Sequence, residues 1–225
     1  MSHAPDRPQL RIQLNRELDN VSNILDDSSM IEDSPRDVNA VIAAQVRELR
    51  ALHGLSLEAL AARCGVSRSM ISLIERAEAS PTAVVLEKLA TGLHVPLASL
   101  FDQVRAAPAP VSRADEQVAW RDPASGYLRR NVSPAGFPSP LKIIEVAFPP
   151  RARVAYETAG RDVAIHQQIW VLEGSIDITV GTERHRLHRG DCLAIVLDRP
   201  ILYHNPTRKL TRYAVIIAAA MPGGG

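Results

Sequence analysis

The sequence predicts an α+β chain built as two domains, an all-α unit of five short helices followed by an all-β barrel or sandwich. Three observations carry this. Between Val38 and Phe101 the apolar residues recur at three- and four-residue steps, the period of a one-faced helix. From about residue 117 the texture changes to short β-prone runs broken by Pro, Gly and Asp, with no helix-length pattern between them. Between the two lies RAAPAPVSRADEQ, rich in Ala and Pro and without periodicity, which reads as a linker over residues 105–116. The expected boundaries are therefore 1–37 for an N-terminal arm, 38–104 for the helical unit and 117–221 for the β unit. A length of 225 residues allows each unit its own core.

The arm is polar and acidic, and DDSSMIEDSP reads as a solvated, largely disordered tether. The first helix runs from about Val38 to His53, with Val38, Val41, Ile42, Val46, Leu49 and Leu52 on one stripe and Gly54 as its stop. Ser56 caps a second helix that buries Leu57, Leu60 and Ala61 and ends at Gly65, a residue suited to positive φ. Ser67 caps a third helix through about Arg76. Ser80 and Pro81 carry the cap-then-proline signature of a fourth. Val85, Leu86, Leu89 and Leu93 point inward there, and Leu97, Leu100 and Phe101 close a fifth. Strands are expected at LKIIEVAF (141–148), IHQQIWVL (165–172), SIDITVG (175–181), CLAIVL (192–197) and RYAVIIAA (212–219). Many short strands without crossover helices indicate antiparallel pairing.

Composition excludes several classes. Hydrophobic residues make up 46% and charged residues 23%, as in ordinary soluble proteins, and no apolar run approaches the ~18–20 residues that span a bilayer. The first residues lack a basic stretch followed by an apolar one, so no secretory leader, no membrane partner and a cytoplasmic location are expected. Cys64 and Cys192 fall in different units and are expected as unpaired thiols. The net charge of +1 is uneven: segments 1–37, 38–102 and 103–225 carry −4, 0 and +5. Any nucleic-acid contact by the helical unit must rest on a few placed cations rather than bulk basicity.

Within the third helix, Ile71 and Ile74 face the core with Met70 beside them, leaving Arg68, Ser69, Ser72, Leu73 and Arg76 outward, with the capping Ser67 at their head. Arg68 suits guanine O6 and N7, the serines suit base edges or phosphates, and Leu73 suits a thymine methyl. An exposed Arg/Ser face is also what any soluble helix presents; the five-helix pattern around it favours the DNA reading. LSLEALAARCGVSRSMISLIERAEASPTAVVLEKLA resembles the helix-turn-helix of the phage repressor/Cro-like (XRE-type) regulators in helix order, glycine turn and the SP before helix four. That resemblance implies a structural ion pair between Arg50 and Glu75. Leu57 departs from the pattern, which often has a phosphate-contacting Gln there.

IWVLEGSIDITVG and HRLHRGDCLAIVLDRPILYHNP resemble the cupin fold found behind such helix-turn-helix units, implying a double-stranded β-helix barrel. Metal-binding cupins hold their ion with a His-x-His pair, a Glu and a further His, at positions that correspond here to Arg161, Val163, Gln167 and Ile201, none a good divalent-cation ligand. His166 and His204 lie one residue out of step, which on a strand turns them to the other face. No metal and no cofactor are expected. With Gln167 inward, Val163, Ile165, Ile169 and Val171 are inward too, and His166, Gln168 and Trp170 form an outward strip suited to a subunit contact. Ile201, Tyr203 and Asn205 face inward on the opposing strand. The candidate effector pocket is Gln167, Tyr203, Arg161, Tyr156, Glu145 and Tyr213; a simply filled barrel is the other reading.

The function implied is that of a non-enzymatic transcriptional regulator. Its expected partners are double-stranded DNA with a palindromic or pseudo-palindromic operator, a small organic effector and a second copy of itself. Dimerisation follows from the DNA problem, because one short helix buries too little while a twofold dimer meets two half-sites. A cupin enzyme resembling the non-haem iron epoxidases, which share this domain order, is the competing class, and an antitoxin-like protein-binding module is the third.

Overall fold

The computed structural model describes residues 38–102, 109–157 and 165–219. The expected arm over 1–37, part of the expected linker, and the pocket candidate Arg161 with its neighbour Val163 lie outside the described residues.

The helical region has four α-helices, α1 (Val38–Leu52), α2 (Leu57–Cys64), α3 (Arg68–Glu75) and α4 (Ala83–Gly92), then a 3-10 turn over Leu97–Phe101 in place of a fifth α-helix. Ile42, Ala43 and Val46 bury the inner stripe of α1. Leu52, expected on that stripe, is 77% exposed, because the helix ends at that residue and the chain turns away at Gly54. Ala59 N–H donates to Ser56 Oγ (3.1 Å) at the start of α2, and Gly65, at φ +66°, ends it by donating its N–H to Ala61 O. Ser67 Oγ accepts from Met70 N–H (3.3 Å) to start α3. Helix α4 opens later than Ser80 and Pro81 indicate: Thr82 is the cap, its Oγ1 accepting from Val85 N–H. Ser80 Oγ instead donates to Asn39 Oδ1 on α1 and Pro81 is buried, so the chain stays extended for one residue more. A Cβ at Gly92 would stand 2.7 Å from Cys64 Cβ, so this position sets how closely α4 approaches α2.

Ten antiparallel strands follow: β1 (Ala119–Arg121), β2 (Leu128–Asn131), β3 (Leu141–Phe148), β4 (Arg153–Tyr156), β5 (Ile165–Glu173), β6 (Ser175–Val180), β7 (Glu183–His188), β8 (Cys192–Val196), β9 (Ile201–His204) and β10 (Thr211–Ala219). They form a six-stranded sheet in the order β1-β2-β3-β10-β5-β8 and a four-stranded sheet in the order β4-β9-β6-β7. Strand alternation sorts the faces. Ile165, Gln167, Ile169 and Val171 on β5 are buried while His166, Gln168 and Trp170 are exposed. The two inner faces meet as the double-stranded β-helix of a cupin barrel. Asn205, just after β9, donates its amide to the carbonyls of Phe148, Pro149 and Lys209, which ties the β9–β10 loop to the end of β3.

The helical region and the barrel share one continuous apolar core instead of holding two. Phe101 packs against Trp120 of β1 with ring centroids 5.7 Å apart. Ala83 N–H, at the first residue of α4, donates to Asp122 Oδ1 (3.0 Å) in the turn after β1, and Lys142 Nζ on β3 donates to Asp102 Oδ1 (3.0 Å). A buried carboxylate at a helix N-terminus meets the positive end of the helix dipole.

Candidate nucleic-acid interface and candidate ligand cavity

Helix α3 turns Ile71 and Ile74 into the core and leaves Ser67, Arg68, Ser69 and Arg76 exposed, with Ser72 and Leu73 half-buried beside them. Met70, expected with the core residues, is exposed: it precedes Ile71 by one residue and so falls about 100° round the helix, on the outward face. The outward face is pre-arranged by polar contacts. Arg68 ion-pairs with Glu58 of α2, and Ser67 Oγ lies 3.2 Å from Ser69 Oγ. Arg76 donates from Nε and Nη2 to Glu78 (2.9 and 2.7 Å) and from Nη1 to Ser72 Oγ. Leu57, at the start of α2, packs its side chain against the core and offers no polar group for a phosphate.

Beneath that face, Arg50 of α1 donates from Nε and Nη2 to the two oxygens of Glu75 (2.6 and 2.8 Å) and from Nη1 to Leu55 O (2.9 Å). The fork therefore fixes the end of α3 to α1 and to the turn before α2. The Glu75 hydrogen bond raises the Arg50 pKa further.

The barrel holds a cavity of about 60 Å³. Gln167, Tyr156, Tyr203 and Tyr213 line it, together with two residues that the sequence reading missed, Tyr127 and Arg129. Gln167 Nε2 donates to Tyr203 Oη (2.6 Å), and Tyr127 Oη lies 3.0 Å from Tyr156 Oη. Tyr203 and Tyr213 stack with centroids 6.0 Å apart and 7° between planes. Burial raises the pKa of all four phenols, that of Tyr127 to about 12, so they are neutral donors and acceptors at physiological pH. One stretch of the wall comes from the helical region: Glu87 of α4, and Pro96 and Leu97 at the 3-10 turn.

Glu145 does not line this cavity. Val146 points inward, so its neighbour on β3 points out, where Arg130 and Arg212 hold the carboxylate. Burial works to raise the Glu145 pKa, but the hydrogen bonds from those two arginines outweigh it and leave it lowered. The missed residues left a faint signal: Tyr127 and Arg129 are two apart, hence on one face of an extended chain, and precede an apolar strand. Nothing local marks Glu87, Pro96 or Leu97 as cavity residues.

Of the positions where metal-binding cupins place ligands, Gln167 and Ile201 offer a neutral amide and an alkyl chain, which do not suit a divalent ion. Among the described residues no three His, Cys, Asp or Glu side chains are grouped to hold one. His166 is exposed, and His204 is half-buried with Nδ1 3.9 Å from Asp177 Oδ2.

The helix order and the two facing sheets are those of a helix-turn-helix unit followed by a β-barrel, and both resemble known proteins. The helix-turn-helix family model HTH_3 matches residues 46–100. The chain is 25% identical over 176 residues to the HTH-type transcriptional regulator SutR of Escherichia coli (strain K12), covering 78% of this chain and 93% of that one. The crystal structure of an HTH_3 family transcriptional regulator from Vibrio cholerae superposes with a TM-score of 0.62 at 26% identity, over 80% of this chain and 96% of the other. A hydroxypropylphosphonic acid epoxidase from S. wedmorenis aligns over 80% of this chain and 98% of its own at 16% identity, but with a TM-score of 0.38, too distant to bear on function. No helix among the described residues is long and apolar enough to cross a membrane.

Proposed function

We propose that this protein is a dimeric, DNA-binding transcriptional regulator whose barrel cavity takes a small effector. The observation that carries the DNA reading is the face of α3, where Arg68, Ser69, Ser72, Leu73 and Arg76 stand out from a helix clamped below by Arg50 and Glu75. The SutR and Vibrio cholerae relatives are both regulators of transcription by name, and both match over most of the chain, which supports the same role here in the cytoplasm. We read the role as non-catalytic: among the described residues the cavity offers phenols, an amide, a guanidinium and the Glu87 carboxylate, and no 2-His-carboxylate set.

The effector would act through the shared wall. A ligand in the cavity touches Glu87, Pro96 and Leu97 and the barrel strands at once, so it favours whichever arrangement of the two it fits better. The copies would join through the outer face of the six-stranded sheet. Three register rows cross it from β3 through β10 and β5 to β8: Leu141, Ala218, His166, Val196; Ile143, Ile216, Gln168, Ala194; and Glu145, Ala214, Trp170, Cys192. Trp170 is 48% exposed on this face, with Leu141, Ile143 and Val196 also exposed. A mostly apolar face of this extent is uncommon on a monomer, and a twofold pairing of it would present two α3 helices to half-sites one DNA turn apart.

Selection of bound duplexes from a random pool, followed by footprinting at moderate ionic strength, tests the reading. A preferred palindromic site is expected. Binding of the selected duplex no better than random competitor overturns it.

A further inference from the structure

We propose that the effector is a small monocarboxylate, gripped by the side edge of the Arg129 guanidinium at the junction of barrel and helical region; this rests on the effector-cavity reading above. Arg129 lies on β2 in an inward-facing register row with Trp120, Val146, Tyr213 and Val171. Only 6% of it is exposed, it lines the cavity, and its Nε and Nη2 meet no hydrogen-bond partner. Its guanidinium carbon sits 5.1 Å from the centre of the Phe101 ring, a cation–π contact. A buried cation with two idle N–H groups is costly unless a partner arrives.

The rest of the molecule shows what that edge binds. Arg50 grips Glu75, Arg76 grips Glu78 and Arg186 grips Asp177, each through Nε and Nη2 onto a carboxylate. This two-pronged geometry matches a planar carboxylate and gives short, charge-assisted bonds. In Arg129 the same two nitrogens are buried with no such partner, and the residue lines a cavity.

Size and charge narrow the class. A volume of about 60 Å³ is roughly four times what one buried water requires, so it suits an acid of a few carbons rather than an aromatic or a sugar. Among the described lining residues Arg129 is the one cation, so one carboxylate is matched and a second is not. Gln167 and the neutral tyrosines can meet a keto or hydroxy oxygen, while Val146 and Phe148 meet the alkyl part.

The test uses the full chain. Thermal midpoints are measured with acetate, propionate and pyruvate against acetamide, propionamide, malonate and chloride at matched ionic strength, and propionate affinity is measured by calorimetry. The three monocarboxylates are expected to raise the midpoint while the amides, malonate and chloride do not. Arg129→Gln is expected to weaken propionate by about ten- to a hundred-fold, and Arg129→Lys to fall between, since it keeps the charge and loses the fork. Equal shifts from acids and amides, no shift from any acid, or an undiminished response in Arg129→Gln overturns the proposal. If Arg129→Gln does not fold, the acid-against-amide comparison in the unaltered protein decides alone. Neutral probes that bind where the acids do not leave the cavity reading standing and remove the anion; failure of duplex binding in the same preparations removes the regulator reading instead.

Discussion

Glu58 of α2 holds the guanidinium of Arg68, the first residue of α3, across the turn at Gly65, with both side chains nearly two-thirds exposed. The arginine proposed to meet DNA is therefore occupied by a carboxylate until a base edge or phosphate displaces it. Exposed pairs of this kind are weak and yield to a stronger partner. Arg68→Ala is expected to reduce discrimination between the selected site and a mismatched one by about 1–3 kcal/mol without changing the unfolding midpoint. Glu58→Gln should tighten duplex binding, because it frees the cation. Fluorescence anisotropy over a salt series checks both; weaker binding by Glu58→Gln would remove Arg68 from the reading face.

The Arg50–Glu75 fork predicts a stability effect separate from DNA contact. Glu75→Ala leaves Arg50 half-buried without its carboxylate, at an expected cost of about 3 kcal/mol, the low end for broken buried pairs because Arg50 keeps some solvent. Replacing both residues with apolar ones of similar volume should recover most of that loss. Urea midpoints of the single and double variants give the answer. A loss under about 0.5 kcal/mol in Glu75→Ala would mean that the fork does not hold α3 in place.

Trp170 predicts the oligomeric state. Placing a charge on the proposed twofold face, as in Trp170→Glu, should yield monomers by sedimentation and weaken operator binding by orders of magnitude, while the barrel stays folded because the side chain is half exposed. An unchanged dimer would move the subunit contact elsewhere.

Acid sensitivity is written into the outer face of the smaller sheet. Asp177 is buried between Arg186 and Arg184, whose hydrogen bonds lower its pKa from 3.8 to about 2, with His204 at its far side. A folded pKa below the unfolded one gives stabilisation that is fully present above about pH 4 and is lost as the pH falls towards about 2. Both arginines are more than half exposed, so the contribution is about 1 kcal/mol rather than the full shift. Asp177→Asn should lower neutral stability by about that amount and flatten the difference from the parent between pH 4 and 2, measured as urea midpoints against pH.

The helical order and the five long strands were legible because their apolar periods are long enough to separate 3.6 from 2. The strands β1, β2 and β4 are only three or four residues long, AWR, LRRN and RVAY, and β7, ERHRLH, is mostly charged, so none presents an apolar period. The cavity was half legible. Gln167 and Tyr203 follow from alternation along two recognisable strands, and alternation also explains the failure of Glu145, whose neighbour Val146 takes the inward place. Arg129, Glu87 and Leu97 belong to the site only because distant segments fold against one another. No local pattern encodes that meeting. Thr82 in place of Ser80 as the helix start is the same lesson at short range, since Asn39, some forty residues earlier, engages the serine.

The carboxylate of Asp122, 2% exposed, accepts from Ala83 N–H while also holding Ser125 in its own turn. The start of the helix that backs the reading unit, capped by Thr82, is thus completed by a residue of the β unit. Excising the first hundred residues, or grafting them onto a different sensor, would forfeit that start and bare Phe101 to water. Two units that share a helix-start contact and an apolar core cannot be exchanged independently of one another.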